Sequence, residues 1–329
     1  MISLAISNRN QSRKASPPSP LLFISLPSRF YSPLCHVHPD RTLGGSFGFD
    51  FMWILFLGFA ILSQNLLFTI FWRIHVICAH SRHQIVGLVT EVGNKVEKFK
   101  VGDRVGVGCM VGSCRCCTKC LVNQEFYCQK VILTCTGTEY DGTPAYGGYS
   151  NFMVADEHFV LRIPDSLSLE LAAPLLCAGT AYGHLKYYGR TIPGANVGVV
   201  GLGSLARVVV KFAKAFGLKV TLISTSVVRE SLEHIGADSF LLSSDLLQMQ
   251  AQMGTMDNII DTMSASHPGE PLMRLLKADG ELVVLGVPDK LEVSSFSKMV
   301  GRRVVARRCM VGMKETQEML DFAAEHKAT

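Results

Sequence analysis

Acidic residues are missing from the first 39 positions, although the whole chain carries 27 of them against 32 lysines and arginines. That opening stretch is rich in serine, proline and arginine, a composition shared by transit peptides and by translated non-coding sequence. Long basic runs are missing too. The net charge of +5 is mild and spread along the chain, which leaves nucleic-acid binding without support. An even cysteine count is also lacking: there are 11, and seven fall between Cys109 and Cys135. This argues against a secreted disulfide framework and for a reducing compartment with a metal site. Tryptophan is scarce, and both copies, Trp53 and Trp72, flank one feature. Phe51 to Trp72 is a 22-residue run without a charged side chain. It is long enough to span a bilayer, and its tryptophans stand where interface anchors would.

At 329 residues the chain has room for two domains, and 48% hydrophobic content suits a globular protein with a large core. From about Gln84 onward the pattern is that of a regular α/β protein; before it the pattern is not. Within the regular part, Cys114, Cys117, Cys120 and Cys128 read Cys-x2-Cys-x2-Cys-x7-Cys. Four thiolates this close can surround one tetrahedral zinc at Zn–S of about 2.3 Å, closing a structural site. Reduced surface thiols or disulfides are the competing reading, and so crowded a set of free thiols would be an oxidation liability.

A nucleotide-binding half follows. Ala195–Val200 is a β-branched run suited to a buried strand, and Gly201-Leu-Gly203-Ser-Leu-Ala206 comes directly after it. Leu205, Val208, Val209, Phe212, Ala213 and Phe216 then recur at helical spacing up to Gly217, and Lys219–Ile223 is the next strand. In this G-x-G-x-x-A turn, Gly201 permits the tight bend, Gly203 lets the backbone approach a pyrophosphate, and Ala206 lets helix pack on strand. Phosphates would sit on the free N–H groups of the helix N-terminus. The second strand ends in Ser224-Thr225-Ser226 with Arg229 beyond, and no carboxylate. Hydroxyls and a cation there favour NADP over NAD, unless the serines and threonine merely start the next turn. Ser239–Leu242, Asp257–Asp261, Glu281–Leu285 and Arg303–Ala306 are further strands, with helices near Arg229–Ile235, Asp245–Met253, Pro271–Leu276 and Lys314–His326. Six strands with crossing helices predict a doubly wound parallel sheet.

A zinc lobe, a nucleotide domain, and Leu175-Leu-Cys-Ala-Gly-Thr180 between them resemble the zinc-dependent medium-chain alcohol dehydrogenases. More narrowly, Ile85–Gly93, Lys100–Gly106, Gly108–Cys114, Tyr146–Ser150, Asp156–Phe159 and Met313–Met319 look like the plant cinnamyl alcohol dehydrogenase and mannitol dehydrogenase branch. The resemblance covers residues 83–329. It implies a GroES-like catalytic domain, incomplete here, beside a Rossmann domain. It also implies interconversion of cinnamyl-type or related aldehydes and primary alcohols by hydride transfer with NADP(H). Carried over by residue, it makes Cys114, Cys117, Cys120 and Cys128 the structural zinc ligands, and His83 and Cys177 ligands of a catalytic zinc. Gly201, Gly203, Ser204 and Leu205 would line the pyrophosphate, and Ser224, Thr225, Ser226 and Arg229 the 2′-phosphate. The implied partners are a small aldehyde or alcohol and a second copy of the chain.

Several positions depart from that pattern. The family's Cys-His motif carrying the first catalytic ligand is absent at its usual distance before His83; Cys35 and Cys78 are the only earlier candidates. The carboxylate expected after His83 is Gln84, Arg82 precedes it, and Arg307-Arg308 replace small residues. The expected division is an unmatched segment 1–82, a partial catalytic domain 83–165, a Rossmann domain 166–312 and a truncated C-terminal helix 313–329. The apolar run 51–72 reads as an unspliced or mis-joined stretch in preference to a membrane anchor. The expected location is therefore cytoplasmic, with membrane association through 51–72 as the alternative. A catalytically impaired zinc- and NADP-binding relic or partner subunit is the competing functional reading.

Overall fold

The structure is a computed structural model, and it describes residues 21–25, 83–148, 150, 152–187, 192–225, 235–307 and 309–328. A first sheet is antiparallel throughout and ordered β6-β1-β2-β3-β7. Its strands are β1 (Leu21–Ser25), β2 (Ile85–Val92), β3 (Arg104–Val107), β6 (Phe152–Asp156) and β7 (Val160–Arg162). Strands β4 (Met110–Gly112) and β5 (Ile132–Leu133) pair separately at the base of the cysteine-rich lobe.

The sequence reading set residues 1–82 apart from the rest, yet β1 sits inside this sheet between β2 and β6. Leu22 and Ile24, two apart and so on one face, are fully buried with Ile85, Val89, Val105, Val107, Ala155 and Val160. The run between Pro20 and Pro27 is short, apolar and bounded by strand breakers, which is a strand signal in its own right. Burying it removes two large aliphatic side chains from water, a gain of roughly 1.5–3 kcal/mol each.

The second sheet is six-stranded and parallel, ordered β10-β9-β8-β11-β13-β15. Its strands are β8 (Asn196–Val200), β9 (Lys219–Ser224), β10 (Ser239–Leu242), β11 (Met256–Asp261), β13 (Leu276–Val284) and β15 (Val304–Arg307). Counted within the domain the order is 3-2-1-4-5-6, the doubly wound arrangement with its switch point between β8 and β11. The short strands β12 (His267–Pro268) and β14 (Leu291–Glu292) pair beside it.

Eight α-helices and two short 3-10 turns, Glu125–Tyr127 and Glu157–Phe159, complete the described fold. The α-helices are α1 (Thr118–Leu121), α2 (Leu169–Leu175), α3 (Gly179–Tyr187), α4 (Ser204–Ala215), α5 (Leu246–Ala251), α6 (Glu270–Leu275), α7 (Ser295–Met299) and α8 (Met313–His326). Ser168 and Asp245 cap α2 and α5 by accepting backbone N–H groups, as their short polar side chains favour. The face of α8 carrying Met319 and Ala323 is buried, as its spacing predicts, and Phe322 stacks on Phe216 with ring centroids 4.6 Å apart. From the same helix, Gln317 exchanges two hydrogen bonds with the Arg162 backbone, at 2.8 and 2.9 Å. Thus α8 grips the nucleotide domain with its aromatic face and the edge of the first sheet with its amide.

Candidate functional site: a thiolate lobe, a cleft and a phosphate turn

The lobe is built from residues close in sequence. Helix α1 starts after Cys117, so Cys117 and Cys120 lie one turn apart and both reach inward. The four sulfurs lie within 4.8 Å of one another, with Cys128–Cys114 at 3.5 Å, Cys117–Cys120 at 3.6 Å and Cys114–Cys120 at 3.9 Å. A tetrahedral zinc at about 2.3 Å from each sulfur sets neighbouring sulfurs about 3.8 Å apart, so the spacing fits the ion. The backbone supports thiolates too: Cys117 N–H points at Cys114 Sγ and Lys130 N–H at Cys128 Sγ, each at 3.3 Å. Backbone N–H groups of Cys116 and Cys117 hold the Cys114 thiol down to about 6. Burial pushes Cys120 up to about 12, so its anion needs a cation beside it.

Metal ligation is joined in the lobe by a buried carboxylate that ties it to the rest of the fold. Glu125, only 1% exposed, accepts from His158 Nε2 at 3.0 Å and from Met313 N–H, the first residue of α8, at 3.2 Å. Burial alone would raise this carboxyl, but His158 and the backbone donors outweigh it and hold it below the ordinary range. Gly312 is the point of closest approach, because a Cβ there would lie 1.9 Å from Asn123 O. His158 is thus the side-chain partner of this buried carboxylate.

In the cleft, His83 lies two residues before the start of β2 and Cys177 lies between α2 and α3. The Gln84 side chain hydrogen-bonds Cys177, which joins the two ends of that pair. Burial lowers the His83 pKa, favouring the neutral imidazole that a metal needs. Burial pushes the Cys177 thiol up to about 12, opposed by the Gln84 hydrogen bond. Next to them is a cysteine the sequence reading passed over: Cys135 Sγ stands 3.7 Å from His83 Nδ1. Its only signal in the sequence was membership of the crowded stretch.

The phosphate turn has the expected form. Gly201 ends β8 at φ +107°, a conformation that L side chains rarely adopt, and an added Cβ would meet Thr262 Oγ1 at 2.7 Å. Thr262 in turn donates to Val200 O at 2.7 Å and so fixes the turn from β11. Gly203 precedes α4 without a side-chain cap, and a Cβ there would meet nothing within 4 Å. Ser204 and Leu205 open α4, with Ser204 exposed. Ser224 ends β9 and Thr225 is exposed just beyond it. Ser226 and Arg229 lie outside the described residues, as do Cys35, Cys78, Arg82, Arg308 and the run 51–72. Among the described residues no helix is long and apolar enough to cross a membrane.

Two family models match the chain: the alcohol dehydrogenase GroES-like domain over residues 75–165, and the zinc-binding dehydrogenase over residues 201–325. The chain belongs to the zinc-binding alcohol dehydrogenase family. Its relatives include a probable mannitol dehydrogenase from Fragaria ananassa, 61% identical over 75% of this chain and 70% of the relative. An 8-hydroxygeraniol dehydrogenase from Catharanthus roseus and cinnamyl alcohol dehydrogenase 2 from Rauvolfia serpentina are each 58% identical, over 74% of this chain and 69% of theirs. Among solved structures, a cinnamyl alcohol dehydrogenase from Sorghum bicolor superposes with a TM-score of 0.72 at 47% identity, covering 74% of this chain and 71% of its own. One from Helicobacter pylori, complexed with NADP(H), gives 0.69 at 37% identity over 74% and 71%. As a member of this family the chain is an oxidoreductase of the alcohol dehydrogenase type, with the GroES-like and Rossmann halves described above.

Proposed function

We propose that the chain is a zinc- and NADP-dependent alcohol dehydrogenase that interconverts cinnamyl-type or related aldehydes and primary alcohols. The observation that carries this reading is the Gln84 side chain linking Cys177 to the neighbour of a half-buried His83, whose pKa burial lowers, in a chain that also keeps the phosphate turn at the β8–β11 switch point. Bound zinc would supply a Lewis acid for the substrate oxygen, and NADPH a hydride for the carbonyl carbon. The chain's residues do the holding. His83 and Cys177 offer nitrogen and sulfur donors, and Gln84 orients the Cys177 thiol. Gly201 and Gly203 let the main chain approach a pyrophosphate, and the first turn of α4 offers unpaired N–H groups toward it. Ser224 and the exposed Thr225 present no carboxylate to repel a 2′-phosphate. The names of the relatives support alcohols as the substrate class, and the NADP(H) complex of the Helicobacter pylori enzyme supports the cofactor. A homodimer through the outer edge of β15 and a cytoplasmic location complete the proposal.

The test is NADPH oxidation, followed at 340 nm, by the purified zinc-loaded chain with cinnamaldehyde and with aliphatic aldehydes. Turnover that prefers NADPH to NADH, and a Thr225→Asp variant whose preference falls roughly tenfold, about 1.4 kcal/mol, would support it. NADPH binding without turnover on any aldehyde would leave the second reading, a nucleotide- and zinc-binding relic. That reading draws on Gln84 standing where the family carries a carboxylate.

A further inference from the structure

We propose that Cys135 supplies the third protein ligand of a metal centre completed by His83 and Cys177, so that this chain assembles a His-Cys-Cys site from a donor outside the family's motif. The inference rests on the catalytic-zinc reading above.

Distance is the first argument. A tetrahedral zinc held at about 2.3 Å by sulfur and about 2.0–2.1 Å by imidazole nitrogen places those two atoms about 3.6 Å apart. Cys135 Sγ and His83 Nδ1 stand 3.7 Å apart, although 52 residues separate them in sequence. The second argument is that the backbone around Cys135 is fixed. Thr134, 1% exposed, donates through Oγ1 to Gly108 O at 2.6 Å and through its N–H to Cys109 O at 2.9 Å. Two residues past Cys135, Gly137 N–H closes a turn onto Leu133 O at 2.9 Å. The thiol is therefore presented to His83 by a pinned loop, which is how a ligand is held ready for a metal.

Charge is the third argument. One neutral imidazole and two thiolates balance a divalent ion, whereas Cys177 alone would leave an uncompensated positive charge beside the neutral Gln84. The set also leaves the fourth tetrahedral position open, as catalytic zinc sites do. Among the described residues only the four lobe cysteines bring all their donors within 4.8 Å. Since His83 and Cys135 are already in range of a shared ion, Cys177 is the donor that draws in when metal binds. Its tie to Gln84, the neighbour of His83, keeps it on the right side of the cleft.

The experiment is metal counting on the full-length chain and its variants, with zinc and then cobalt(II) as probes. The chain should hold two zinc ions, Cys135→Ser one, and Cys135→His two with an altered cobalt spectrum. Cobalt at the second centre should show thiolate-to-metal charge transfer that weakens in Cys135→Ser. Zinc should also slow alkylation of Cys135, read by peptide mass, while Cys309→Ser changes none of these values. Two ions in both the parent chain and Cys135→Ser, with unchanged cobalt spectra, would overturn the role of Cys135 and leave the dehydrogenase reading standing. A single ion in the parent chain that disappears in Cys117→Ser would remove the second centre and with it both readings. If Cys135→Ser fails to fold by circular dichroism, Cys135→His decides: two ions with a cobalt spectrum identical to that of the parent chain would overturn the proposal.

Discussion

In the lobe, Cys114 and Cys128 are 14 residues apart in sequence and 3.5 Å apart in space; in the cleft, His83 and Cys135 are 52 residues apart and 3.7 Å apart. The lobe gathers four sulfurs and the cleft a sulfur and a nitrogen at metal-ligand distances, but by different means. The lobe needs one helical turn, two tight loops and backbone N–H groups that already favour thiolates. The cleft needs β2, the β5 loop and the α2–α3 bend to be packed before any two donors meet. A local site owes its geometry to short-range backbone conformation and its stability to the ion. A non-local site inherits both from the sheet beneath it. The lobe should therefore survive damage to the sheet, while the cleft should not.

The strongest way to separate the two is to remove a lobe ligand. Zinc binding by small lobes is coupled to about 10 kcal/mol or more of folding free energy. Cys117→Ser should thus release one ion and open residues 109–135 to proteolysis, and the phosphate turn should still bind NADPH. Retention of the lobe's ion, measured by zinc content, would show that three thiolates suffice.

Next in size is the carboxylate that ties the lobe to α8. Glu125→Ala leaves His158 and the Met313 N–H without their acceptor, at a cost of about 3 kcal/mol after allowing for the partly exposed His158. Urea denaturation reads this. The pH dependence has a definite sign. Because the Glu125 carboxyl is held below its ordinary 4.5, its contribution is complete above that pH. It is lost as pH falls through the folded value. A stability difference between the parent and Glu125→Gln that did not shrink in acid would contradict this assignment.

The reverse test damages the sheet and spares the lobe. Ile24→Ala should cost roughly 2–4 kcal/mol, since its side chain is fully buried beside Val89 and Ala155. It should loosen His83 at the start of β2 while the lobe keeps its zinc. An unchanged melting temperature would mean that β1 adds no stability to the sheet.

The smallest effect is expected at a pair that belongs to neither the lobe nor the cleft. His267 Nε2 lies 2.9 Å from the carboxylate of the fully buried Asp261, which raises the His267 pKa above 6.5. The stabilisation is complete below pH 6.5 and is lost as pH rises through the folded value. His267→Gln should cost about 1 kcal/mol at pH 6 and less at pH 9, with the measured zinc content unchanged. A cost that grows with pH would reverse the assignment.

What could be read from the residues alone follows the same division. The lobe was legible because Cys-x2-Cys-x2-Cys-x7-Cys specifies neighbours on one short stretch of backbone. The Rossmann half was legible because Gly201-x-Gly203-x-x-Ala206, a β-branched strand before it and a helical repeat after it are all local signals, and a parallel βαβ unit winds in one hand. The place of the strand Leu21–Ser25 in the sheet was not: its five residues signal a strand but carry no mark of the partners they find at β2 and β6. Nor were the Glu125–His158 pair and the approach of Cys135 to His83, because nothing in a one-dimensional pattern says which loop packs beside which strand.

By itself, then, the sequence determined the local conformations and the chemistry they can offer: a thiolate cluster, a phosphate turn, an imidazole before a strand. Tertiary packing decided which distant groups share a volume of a few ångströms, because that depends on the order of strands in a sheet and on the side chains buried between them.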